Sequence, residues 1–93
     1  MQLTIVAPCG MLCHTTVEKV SFPGALGDFT VLPHHAPLIA QLTSGKIRYT
    51  AGATEHEQEI RRGFVKVLND MVEANVETSG APSKKETDNA MDV

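Results

Sequence analysis

The sequence has no tryptophan, no apolar run of membrane-spanning length and no excess of positive charge. Each absence removes a class of function. A bilayer-spanning helix needs about 20 predominantly apolar residues in a row, and no such stretch occurs. Eight basic against eleven acidic side chains give a net charge of −3. That sign is wrong for neutralising a phosphate backbone, so nucleic acid is not an expected partner. The first basic residue is Lys19, and the apolar stretch before Cys9 is short and ends on Pro8. An export signal needs a basic start and a longer apolar run, so the chain reads as unexported. With 93 residues, 42% of them hydrophobic, it is one small domain with a modest core. Such a chain buries only about 60–65% of its unfolded surface, too little for a large cofactor crevice or a two-domain catalytic cleft.

Reactive side chains are equally sparse. Cys9 and Cys13 are the only cysteines, and in a reducing compartment free thiols are the default. With His14 they could be drawn as a zinc site, but structural zinc ligands come in tight pairs from turns, and only one such pair exists here. His34 and His35 could act as bases only beside a nucleophile or an orienting acid. Asp28, Cys9 and Cys13 are the only candidates, and no nucleophile elbow, phosphate loop or carboxylate pair accompanies them. No catalytic residue, metal or cofactor is expected. Glu55, Glu57 and Glu59 share one face of an extended segment and read as a solvated surface near Arg61 and Arg62.

What the sequence does have is apolar spacing of period two, the signature of half-buried strands. Leu3, Ile5 and Ala7 alternate with Gln2, Thr4 and Val6, and Ile47, Tyr49 and Ala51 alternate with Lys46, Arg48 and Thr50. The segment from Leu12 to Phe22 is rich in threonine and valine, but its pattern slips between Val17 and Val20, predicting a bulged or strongly twisted strand. Phe29–Val31 and Leu38–Leu42 are short strands, and Asn69-Asp70 predicts a tight hairpin turn between Phe64–Leu68 and Val72–Val76. The whole predicts an all-β antiparallel sandwich of roughly eight to ten short strands over residues 1–77. From Thr78 the composition turns to Gly, Pro, Ser, Lys, Glu, Asp and Asn, predicting a flexible, disordered tail over 78–93.

The most informative segment is Gly27-Asp28-Phe29-Thr30-Val31-Leu32-Pro33-His34-His35-Ala36-Pro37-Leu38. Two prolines bracket two histidines, making a stiff loop suited to docking a partner or to crossing between sheets. This segment resembles the loop of the epsilon subunit of F-type ATP synthases, in its N-terminal β-sandwich domain. Leu3-Thr4-Ile5-Val6-Ala7-Pro8 is similar to that family's opening strand, and Val17-Glu18-Lys19-Val20 with Pro23-Gly24 to its second strand and turn. Ser44-Gly45-Lys46-Ile47-Arg48 and Gly63-Phe64-Val65-Lys66-Val67 match later motifs, so the resemblance runs over about residues 2–77. Thr30 and His34 stand where the family often has glycine, and Arg62 replaces the first glycine of a usual pair.

The resemblance implies a non-catalytic rotor subunit of the central stalk, bound to the gamma subunit and resting on the c-ring, that couples ion translocation to ATP synthesis. Carried over by position, Asp28 and Phe29 would face the c-ring. Ala7, Pro8, His35, Ala36, Pro37, Leu38, Ala40 and Leu42 would pack against gamma. The expected setting is peripheral, at the cytoplasmic face of a bacterial plasma membrane, without obligate homo-oligomerisation. Family members commonly continue into a helical hairpin that can inhibit ATP hydrolysis. Sixteen residues containing Gly80 and Pro82 follow the sandwich here, too few for a stable isolated helix. The expectation is therefore a sandwich-only subunit without an inhibitory arm.

Overall fold

The computed structural model describes residues 1–78. The tail expected over 78–93, and with it the expected lack of a helical arm, lies beyond Thr78 outside the described residues. Among the described residues nine strands form: β1 (Gln2–Ala7), β2 (Gly10–Thr16), β3 (Lys19–Phe22), β4 (Phe29–Val31), β5 (Leu38–Leu42), β6 (Gly45–Ala51), β7 (Thr54–Ile60), β8 (Arg62–Leu68) and β9 (Met71–Glu77). They make a five-stranded sheet of order β2-β1-β9-β8-β5 and a four-stranded sheet of order β4-β3-β6-β7. The fold is an all-β sandwich.

The core follows directly from the alternation. Successive side chains of a strand point to opposite faces, so Leu3, Ile5 and Ala7 of β1 turn inward while Gln2, Thr4 and Val6 turn out. Val65 and Val67 of β8 and Val72, Ala74 and Val76 of β9 join them from the same sheet. The four-stranded sheet contributes Val20, Phe22, Val31, Ile47 and Ile60. Each of the Val, Leu, Ile and Phe side chains among them stabilises the fold by about 1.5–3 kcal/mol through removal of apolar surface from water. Phe22 packs against Phe29 with ring centroids 5.6 Å apart. Among the described residues no polar or charged side chain is buried.

Two details differ from the sequence expectation. The segment from Leu12 to Phe22 is not one bulged strand. It breaks at Val17-Glu18 and passes from one sheet to the other, held by Val17 N–H donating to the Met1 carbonyl (2.8 Å) and Glu18 N–H to that of Thr50 (2.9 Å). The slip has a simple cause: Val17 and Val20, three residues apart, both point into the core, which a single regular strand cannot arrange. The bulge lies instead in the β1–β2 hairpin, where Leu12 is skipped between the Ile5↔Cys13 and Val6↔Met11 pairs. The second difference is that β1 and β9 pair in parallel, Gln2 opposite Met71 through Val6 opposite Asn75. All other ladders among the described residues are antiparallel.

Register fixes the two ends of the sandwich. Phe22 faces Phe29, Leu42 faces Gly63, and Gly24 bridges to Leu42, so the 23–28 loop and the Thr43-Ser44 turn share one end. Leu38 faces Val67 and Leu68 faces Met71, so the 32–37 loop and the Asn69-Asp70 turn share the other. Asn69 and Asp70 both have positive φ, 52° and 60°, the pairing expected of a two-residue I′ hairpin turn.

Candidate functional site

The outward faces of the two sheets both carry charge, but the five-stranded sheet also exposes large apolar side chains. On the four-stranded sheet, Glu57 bridges Arg48 (3.1 Å) and Lys46 (3.4 Å), and Ser21 and Thr30 share a hydrogen bond of 2.8 Å. That is a solvated surface, and its exposed ion pairs contribute little to stability. On the five-stranded sheet, Ile39 is 75% and Phe64 52% exposed, with Met11, Leu68 and Met71 also open to solvent. A groove of 740 Å³ runs between Val6, Pro8, Ile39 and Phe64, with Arg62, Asn75 and Glu77 along it. Arg62 Nε lies 2.9 Å from Glu77 Oε1 at the groove wall. A groove in which exposed apolar side chains stand among polar ones is the composition of a docking surface.

The residues expected to face gamma divide into two groups. Ala7, Pro8, Ala40 and Leu42 border the groove. Of these, Leu42 and Ala7 are buried and Ala40 packs against the core from its edge, as does Leu38, which lies outside the groove. The alternation of β5 sends 38, 40 and 42 inward, and the residues it presents outward between them are Ile39 and Gln41, of which Ile39 is the apolar one. His35, Ala36 and Pro37 are exposed in the loop at the other end of the sandwich. There His35 Nδ1 lies 2.7 Å from the Ala36 carbonyl oxygen.

Asp28 is exposed in the 23–28 loop, whereas Phe29 is half-buried against Phe22. Ala25 N–H donates to the Gln41 carbonyl (2.8 Å) and Gly27 N–H to that of Gly24 (3.0 Å). These bonds hold the loop in a tight turn whose apex is Leu26, a fully exposed leucine. The loop thus offers one apolar and one acidic side chain together.

Ile39, Phe64 and Leu26 are the surface residues that sequence reasoning missed. Ile39 and Phe64 carried a usable signal: each is a bulky apolar residue on the outward phase of a strand whose inward phase is already apolar. Such a strand is expected to be covered on both faces.

The remaining reactive groups do not converge. Cys9 and Cys13 are free thiols, Cys9 exposed. Cys13 packs against the core, while the next residue, His14, turns outward to Thr4 Oγ1 at 3.0 Å. Adjacent strand residues on opposite faces cannot share a metal. The phenol of Tyr49 is pushed up to about 12, first by the neighbouring Cys13 side chain and then by burial. Tyr49 also stacks on His56, centroids 5.2 Å apart.

Residues 1–79 match the family described as ATP synthase, Delta/Epsilon chain, beta-sandwich domain. The chain belongs to this family. It is 34% identical over 79 residues to ATP synthase epsilon chain 2 of Syntrophotalea carbinolica, covering 85% of this chain and 57% of that one. It is also 34% identical over 89 residues to the ATP synthase epsilon chain of Desulfitobacterium hafniense strain Y51, covering 96% and 67%. The chain thus spans little more than half the length of the first of these epsilon relatives. A chain in the cryo-EM structure of the Euglena gracilis mitochondrial ATP synthase shares the fold, with a TM-score of 0.74 and 22% identity. It matches 80% of this chain and 48% of that one. A chain of the Tetrahymena thermophila mitochondrial ATP synthase central stalk and c-ring structure gives a TM-score of 0.71 at 13% identity, covering 83% and 63%.

Proposed function

We infer that the chain is a non-catalytic rotor subunit of an F-type ATP synthase, bound to gamma and to the c-ring and coupling ion translocation to ATP synthesis. The setting is the cytoplasmic face of a bacterial plasma membrane, reached through the complex. The names of the epsilon relatives support this, and so do the stalk and c-ring assemblies that contain chains of this fold. The observation that carries it is the groove on the outer face of the five-stranded sheet, where Ile39 and Phe64 stand exposed beside Arg62, Asn75 and Glu77.

Gamma seats on that groove, extending along the sheet to His35, Ala36 and Pro37. Ala7, Pro8, Leu38, Ala40 and Leu42 support the surface from its floor and rim. The c-ring meets the 23–28 loop, where Asp28 pairs with basic or amide groups and Leu26 supplies an apolar tip; Phe29 anchors the loop to the core. A densely packed sandwich resists deformation, so a load applied at the loop reaches gamma without slippage.

Co-expression with the cognate gamma subunit tests this reading. Wild-type protein is expected to co-purify with gamma, and Phe64→Asp to lose it while unfolding at an unchanged temperature. Retention of gamma by the Phe64→Asp protein would refute the seat.

A further inference from the structure

The 32–37 loop poses a physical problem that its own residues do not solve. Leu32, Pro33, His34, His35, Ala36 and Pro37 are all exposed, so the loop buries no side chain that would hold it in place. Within it His34 adopts φ = 66°, a left-handed conformation that costs a non-glycine residue roughly 1–2 kcal/mol. A strained residue persists only where its surroundings over-determine it.

Asp70 supplies that determination. Its carboxylate Oδ1 accepts a hydrogen bond from the His34 backbone N–H. Its second oxygen, Oδ2, lies 3.3 Å from His34 Nδ1. One carboxylate therefore grips both the backbone and the ring of the strained residue. Among the described residues, these are the only side-chain hydrogen bonds or ion pairs that tie the loop to another element. Asp70 is itself well fixed. It occupies the left-handed second position of the β8–β9 turn (φ = 60°), a conformation aspartate tolerates. Its carbonyl receives the Gln2 N–H at 2.9 Å, locking the turn to β1.

We propose that Asp70 is a positioning residue, holding the loop through His34 so that His35, Ala36 and Pro37 are presented in one arrangement to a docking partner. The proposal rests on the reading of gamma as that partner. Prolines at 33 and 37 stiffen the two flanks of the loop, and Asp70 fixes its middle. In a chain with glycine at position 34 the left-handed conformation needs no such support. Here His34 and Asp70 form a matched pair.

The test uses the 93-residue chain with Asp70→Gly and Asp70→Asn. Glycine adopts φ = 60° freely, so the turn survives while both contacts to His34 are lost; asparagine keeps an acceptor oxygen for the backbone N–H. Amide hydrogen exchange at residues 34–36 and affinity for purified cognate gamma are measured together. Asp70→Gly is expected to speed exchange in the loop but not in β8 and β9. If the competent loop arrangement falls to about a tenth of the population, gamma affinity weakens about tenfold. Asp70→Asn is expected to restore most of both. Unchanged loop exchange in Asp70→Gly would overturn the proposal, as would a mobilised loop with undiminished gamma affinity. Wild-type protein that fails to bind gamma overturns the docking reading and the proposal with it. That failure is told apart by faster loop exchange in Asp70→Gly.

Discussion

Gly63 limits what β8 can carry. It pairs with Val76, and a Cβ added there would overlap the Asn75 carbonyl oxygen and crowd the Val76 Cα, at 2.8 Å. Both obstacles are backbone within a ladder, so neither can swing aside. Gly63→Ala is expected to destabilise the protein by about 1–3 kcal/mol, the usual range for overpacking, read as a lower denaturant midpoint. Tyr49 offers a spectroscopic handle at the same scale, since it is the only tyrosine and there is no tryptophan. Its folded-state value of about 12 lies above the roughly 10 of an unfolded tyrosine. The folded chain therefore holds its proton more tightly. The stability this contributes is complete below pH ~10 and is lost between ~10 and ~12, as the unfolded chain ionises first. Cys13→Ala removes the leading cause, so the phenolate absorbance titration should move down towards the ordinary value. An unmoved midpoint would show that Cys13 is not responsible.

Within β5, neighbouring residues serve different masters. Leu42 is 2% exposed in the core and Ile39 is 75% exposed on the groove. Leu42→Ala is expected to cost about 2–5 kcal/mol through lost burial and the cavity left behind. Ile39→Ser should change stability by no more than about 0.5 kcal/mol, while gamma binding weakens. Thermal unfolding and a gamma pull-down separate the two effects. This strand also marks how far the sequence could be read. Period-two spacing located the strands, and Asn69-Asp70 located the turn, because both signals are local. The resemblance drew attention to 38, 40 and 42, yet alternation alone already sent those side chains inward and left the outward Ile39 to be noticed. Val17 and Val20 misled because a sheet-to-sheet crossing and a bulge disturb the period in the same way. The support that Asp70 gives His34 spans 36 residues, and no local pattern encodes a contact of that range.

Across the whole molecule, the acidic loop tip and the His35–Pro37 loop occupy opposite ends of one rigid block. The groove part of the gamma seat reaches the acidic loop's own end at Leu42, but Leu26 and Asp28 do not line it. The c-ring and gamma contacts should therefore fail independently. Asp28→Arg combined with Leu26→Ser is expected to leave gamma affinity intact and to lower ATP-driven ion pumping in the reconstituted synthase. Loss of gamma binding in that variant would contradict the separation. The parallel pairing of β1 with β9 has a consequence of another kind. The first strand described lies one in from the edge of the five-stranded sheet, and its inner neighbour, at the centre, is the last. On the ribosome, β1 can form its hairpin with β2 early, but that hairpin has no sheet to join until β9 has been synthesised. Because the decisive contact closes a loop of about seventy residues, its entropy must be met before its packing is gained. Folding is then slow and late, and nascent chains carry an unpaired β1 edge through most of their synthesis.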